Sequence, residues 1–219
     1  MIGGNLALGV GLSVGLGMGL GGAAGALLAP LARRLCADGR RRPILPFVVL
    51  EAGFGAWAAL NFARPDLTLL SVVLSSALLL LAAVDIAVLR LPNVVTLPLI
   101  AIGFAASAAE ALDLGAHVVG AIVGYGSLFG LSWAFRRLRG RDGMGLGDAK
   151  LFAAAGAWLG WRALPLTMVL ACLAAFAWLA VRWRLEGRAV LRGPAPFGPS
   201  LALAIWLVWI FGASSGVVT

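Results

Sequence analysis

The sequence predicts an all-α membrane protein: a polytopic bundle of about eight transmembrane helices with its N-terminus outside. Three observations predict it. The chain is 62% hydrophobic and only 12% charged, with a mean hydropathy of +1.01 over 219 residues, whereas a soluble domain carries about a quarter charged residues. Its apolar residues fall in long runs. About 20 such residues cross the hydrocarbon core as a helix, the form that satisfies every backbone group there. Its basic residues fall in bursts between those runs.

Taken in order, the runs cover about residues 5–29, 46–63, 67–84, 93–112, 116–135, 148–161, 164–182 and 198–215. The first lacks a basic leader region and is long enough to stay in the membrane. Gly11, Gly15 and Gly19 recur in it at four-residue spacing, as do Gly17, Gly21 and Gly25, a pattern that lets helices approach closely in lipid. It also matches a dinucleotide fingerprint, Gly17-x-Gly19-x-x-Gly22. That fingerprint needs a preceding strand, which an apolar run of this kind does not supply. The sixth run is the shortest, and glycines break it. If the N-terminus is outside, the inner loops collect fifteen arginines and lysines, among them Arg33, Arg34, Arg90, Arg136, Arg137, Arg139, Lys150 and Arg184. The outer loops keep Arg64 and Arg162. The positive-inside rule therefore sets the orientation. The net charge of +8 belongs to these loops and their contact with anionic lipid heads, and predicts no nucleic-acid partner.

Of the nine acidic residues, eight can be weighed one by one, and Asp142 is assigned no role. Asp66, Glu110 and Asp113 lie at outer span ends and read as solvated caps. Asp38 and Glu186 lie among arginines. Glu51 is about one turn inside the second span, where a charge costs several kcal/mol unless it is paired or faces water. It reads equally as a structural group and as the lining of a polar cavity.

Asp85, in "LLAAVDIAVLRLPN", ends the third span. Asp148, in "GMGLGDAKL", begins the sixth. Both fall on the inner side. Two carboxylates at one depth suit acid–base chemistry on an amide: one ionised group takes a proton from water while the other, protonated, polarises the carbonyl. Like charges a few ångströms apart hold one proton between them. As an alternative, Asp148 reads as a plain helix N-cap. Against that, Gly145 and Gly147 allow backbone geometries closed to other residues and a close approach of substrate to the carboxylate.

These residues resemble the G-x-G-D aspartic proteases of membranes and, more narrowly, the bacterial type IV prepilin peptidase family. Three blocks carry the resemblance in order: Asp85 with Pro92 and Asn93 in "LPNVVTLPL"; "GRDGMGLGDAKLFAAAGAWLGW" at 140–161; and "PAPFGPSLALA" at 194–204. The resemblance implies Asp85 and Asp148 as the catalytic pair and a catalytic core of about residues 80–210. Gly145, Gly147, Lys150, Pro92 and Asn93 are its motif or substrate-positioning residues. Pro196, Phe197, Gly198 and Pro199 are shape-setting, although helix termination would account for the prolines.

It further implies a bacterial inner-membrane enzyme that cuts leaders from type IV prepilins or type II secretion pseudopilins, with no metal. Many family members also carry a zinc-binding loop of paired Cys-x-x-Cys motifs and methylate the product with S-adenosylmethionine. In this chain the loop at 32–45 holds Cys36 alone, and the second cysteine, Cys172, is in mid-span. A disulfide between them is not expected, and methyltransferase activity is doubtful. The rival reading is a polytopic transporter using intramembrane carboxylates. The two halves show no internal repeat to support it.

Overall fold

The structure is a computed structural model, which describes residues 17–27, 30, 45–61, 64–140, 145–188 and 195–215. Among the described residues every regular element is helical: α1 (17–27), α2 (Leu45–Asn61), α3 (Pro65–Val88), α4 (Asn93–Ala109), α5 (Leu114–Arg139), α6 (Leu146–Leu159), α7 (Leu164–Glu186) and α8 (Gly198–Ser215), with a 3-10 turn at Trp161–Ala163. The expected runs and these helices correspond one to one. Among the described residues three helices, in α3, α5 and the Trp161–Glu186 stretch, are long and apolar enough to cross a membrane by length and composition. Gly11, Gly15, Cys36, Asp38 and Asp142 lie outside the described residues, as does nearly all of the 32–45 loop. The chain forms two compact units, Met1–Ala87 and Val88–Thr219.

In the first unit α1 lies against α2 through glycine. Gly17, Gly21 and Gly25 are buried, while Gly19 faces open space. A Cβ on Gly17 would stand 2.8 Å from the Cβ of Ala59, and one on Gly21 would stand 3.2 Å from the Cα of Ala52. Of the two glycine stripes, the second is the packing face. Where the fingerprint glycines Gly17, Gly19 and Gly22 are described, they are helical. The core of α3 is built from Val72, Leu74, Leu78, Leu81 and Val84.

In the second unit α6 is the central helix, packed against α4, α5, α7 and α8. Its 14 residues rise about 21 Å, short of the roughly 30 Å hydrocarbon core. Nearly every side chain from Asp148 to Leu159 is buried. A helix sheathed in protein on all sides need not match the lipid thickness. Of the glycines expected to break it, Gly160 ends it as a C-cap with φ 75°, whereas Gly156 lies within the continuous helix and is pressed on the backbone of Gly120 in α5. Gly124 of α5 meets the backbone of Phe152 in the same way, and with His117, Gly120, Leu128 and Ser132 it forms the buried stripe of α5.

Polar ties fix the same interface. His117 Nδ1 donates to the Ala157 carbonyl at 3.0 Å and lies 2.9 Å from Ser107 Oγ, joining α5, α6 and α4. Trp158 Nε1 donates to the Leu99 carbonyl of α4 at 2.8 Å, and its ring meets Trp209 of α8 edge-on at 5.4 Å. The acids read as caps and charge partners keep to the helix ends. Asp66 pairs with Arg64, Glu186 with Arg182, and Asp113 stands at the α5 N-cap without a side-chain cap bond.

Candidate active site

Asp148 is the third residue of α6. The N-cap is Gly145, so the plain capping alternative for Asp148 does not hold. The Asp148 amide donates to the Gly145 carbonyl at 3.1 Å, closing the first turn. Its side chain is buried, as is that of Asp85 in the last turn of α3. An acid in the first turn stands where the aligned peptide dipoles favour negative charge.

The two glycines of the motif act differently from expectation. Neither has a left-handed backbone: Gly145 has φ −67° and ψ 138°, and Gly147 lies within the helix. Gly147 is required for close packing. A Cβ there would stand 2.8 Å from the Cβ of Leu91 and 3.2 Å from its Cδ1. Gly145 is exposed, and a Cβ on it would stand 3.8 Å from Asp148 Oδ2.

Leu91 belongs to the strained link that precedes α4. Leu89 adopts a left-handed backbone, φ 53°, a conformation that costs a non-glycine residue about 1–2 kcal/mol. It stops α3 and turns the chain. Pro92 is then the N-cap of α4, its carbonyl accepting from Val95 and Thr96. Asn93 opens α4, and its Oδ1 accepts a 2.6 Å bond from Lys150 Nζ. The Leu-Pro-Asn block and the G-x-G-D block therefore touch at two points, Leu91 with Gly147 and Asn93 with Lys150. The late block starts a helix too. Phe197 accepts the first bond of α8 from Leu201, and Gly198 and Pro199 form the first turn. Of the prolines expected to terminate helices, Pro92 and Pro199 stand at helix starts, as fits a residue with fixed φ and no N–H to lose, and Pro196 lies in the chain just before α8.

Sequence reasoning named Gly147 but missed Leu91, because a leucine in an apolar chain carries no chemical signal. The contact yields a direct expectation. Gly147→Ala costs about 1–3 kcal/mol by overpacking, while Gly145→Ala, whose Cβ would make only ordinary contacts at 3.8 and 3.9 Å, changes stability by less than about 0.5 kcal/mol. Thermal unfolding of both variants in detergent checks this, and equal losses would discredit the Leu91 contact.

Comparison with known proteins points the same way. A model of the type IV leader peptidase family matches residues 72–180. A protein of Klebsiella pneumoniae named prepilin leader peptidase/N-methyltransferase is 43% identical over 67% of this chain and 68% of its own length. Proteins of the same name from Burkholderia pseudomallei (strain 1026b) and Aeromonas hydrophila are 41% and 40% identical, over 76% and 67% of this chain. The matches cover 54% and 51% of those two proteins, so the chain spans about half the length of these curated relatives. No solved structure matches.

Proposed function

This chain belongs to the type IV leader peptidase family, and from that premise we propose that it is a membrane aspartic endopeptidase that removes leader peptides from type IV prepilins or type II secretion pseudopilins. The observation that carries the reading is the junction of two motif blocks beside a buried acid: Gly147 on Leu91 and Lys150 on Asn93, with Asp148 in the same helical turn. The catalytic core spans about residues 80–210, and the protein is a multi-pass component of the bacterial inner membrane with about eight spans. The basic loop residues support an outside N-terminus. On that topology the end of α3 and the start of α6 face the same, inner side.

Asp85 and Asp148 hold one proton between them. The ionised carboxyl takes a proton from water, whose oxygen attacks the scissile carbonyl carbon. The protonated carboxyl gives its proton to the carbonyl oxygen. The tetrahedral diol then collapses: the C–N bond breaks, the proton gained from water passes to the departing amine, and one diol hydroxyl returns its proton to the carboxyl that had given its own away. No metal and no cofactor enters this step. Gly145 leaves room for an extended substrate backbone beside Asp148. Lys150, through Asn93, positions the start of α4 against α6. The inner arginines face anionic lipid heads.

The relatives' names include an N-methyltransferase. In this chain the loop that holds paired cysteines in many family members has Cys36 alone, and S-adenosylmethionine is not proposed as a cofactor. Co-expression with a candidate prepilin, followed by mass spectrometry of the product, tests both parts. Leader removal without an added methyl group is the expected result, and an uncut precursor ends the proposal.

A further inference from the structure

Glu51 is fully buried in the first unit, and the hydrolysis above makes no use of it. Its Oε1 lies 2.7 Å from Ser75 Oγ and 2.7 Å from Ser76 Oγ, both on α3. Its Oε2 is buried and has no hydrogen-bond partner among the described residues. The other described residues of α1 and α2 carry no charge, and α3 carries only Asp66 and Asp85 at its ends. The nearest described base in the chain, Arg64, is exposed and pairs with Asp66.

We propose that Glu51 is a proton-binding site in the membrane interior: it holds its own proton and, as a neutral acid, clamps α2 to α3. The hydrogen-bond pattern has a place for the proton. Each serine has one O–H. Ser76 donates to Oε1, and Ser75 Oγ faces both Oε1 at 2.7 Å and the Val72 carbonyl at 3.1 Å. With the acid neutral, Ser75 gives its hydrogen to Val72 and accepts from Oε1–H. Every hydroxyl is then used, and the oxygen without a described partner, Oε2, is of the carbonyl type. A carboxylate in this place would leave a charged, buried oxygen with no cation on the described helices of its unit, at a cost of several kcal/mol.

The clamp holds the middle of the helix that bears Asp85 at its inner end, so Glu51 is a positioning residue. That last step rests on the protease reading, whereas the proton does not. Infrared difference spectra of the full chain in lipid, wild type against Glu51→Gln, test the proton. A protonated-carboxyl C=O band that shifts in D2O and vanishes in the variant is expected. A difference confined to carboxylate bands overturns the proposal.

Cleavage of a prepilin tests the clamp. Glu51→Gln, which can still bond both serines, retains activity within about threefold, and Glu51→Leu falls by about tenfold or more. Equal loss in both variants overturns the positioning role. If wild type cleaves nothing, the protease reading fails and the infrared result stands on its own.

Discussion

Asp85→Asn and Asp148→Asn each reduce leader removal by about four orders of magnitude, the scale seen when one member of a catalytic unit is removed. Asparagine keeps the size and polarity of aspartate but can neither take a proton from water nor give one to the carbonyl oxygen. Both side chains are buried at the ends of well-formed helices, and neither substitution introduces a charge. The helix content and unfolding temperature of each variant therefore stay close to wild type, which separates lost chemistry from lost fold. On the proposed mechanism the two acids act as one unit, so the double variant falls no further than the more damaged single one. Rates measured on a synthetic leader–helix substrate check all three. Cleavage by either Asn variant at the wild-type rate removes the aspartic mechanism.

Gly156→Ala has the largest expected effect on stability. A Cβ at Gly156 would overlap the Gly120 backbone of α5, and one at Gly120 would come within 2.7–2.9 Å of the Gly156, Trp161 and Gly160 backbones. Backbone cannot swing aside as a side chain can. The two helices must separate, and the neighbouring Gly124–Phe152 contact and the His117 tie to Ala157 stretch with them. The expected loss is about 3 kcal/mol, enough to depopulate the packed state, and activity falls with it because α6 carries Asp148. Gly126→Ala and Gly130→Ala on α5 serve as controls. Nothing lies within 4 Å of a Cβ at either place, and alanine is the better helix former by about 1 kcal/mol. Thermal unfolding in one detergent compares the three. A Gly156→Ala protein as stable as the controls would show that α5 and α6 do not meet backbone to backbone.

Particular residues show where the sequence ran out. Asp85, Asp148 and the motif around each stood out because a buried acid is rare in an apolar chain. Glu51 stood out for the same reason, but its meaning stayed open until Ser75 and Ser76 were seen beside it. The Gly17, Gly21 and Gly25 stripe was read correctly as a packing face, but other glycines were misread. Gly145 and Gly147 suggested unusual backbone angles, yet one is ordinary extended chain and the other helix, and their importance lies in what comes near them. Gly156 suggested a break and is a contact.

Hydropathy along the chain, with the placing of its arginines, by itself determined the number and order of helices and predicted which way they face, because transfer to lipid depends on local composition alone. It also singled out the acids, since a lone carboxyl is conspicuous in such a background. Only the tertiary structure decided that the short sixth helix is sheathed by its neighbours, that Leu91 fills the space a second motif glycine leaves, and that two serines receive Glu51. Those are distances between residues remote in sequence, set by which surfaces pack most closely, and no local pattern encodes them.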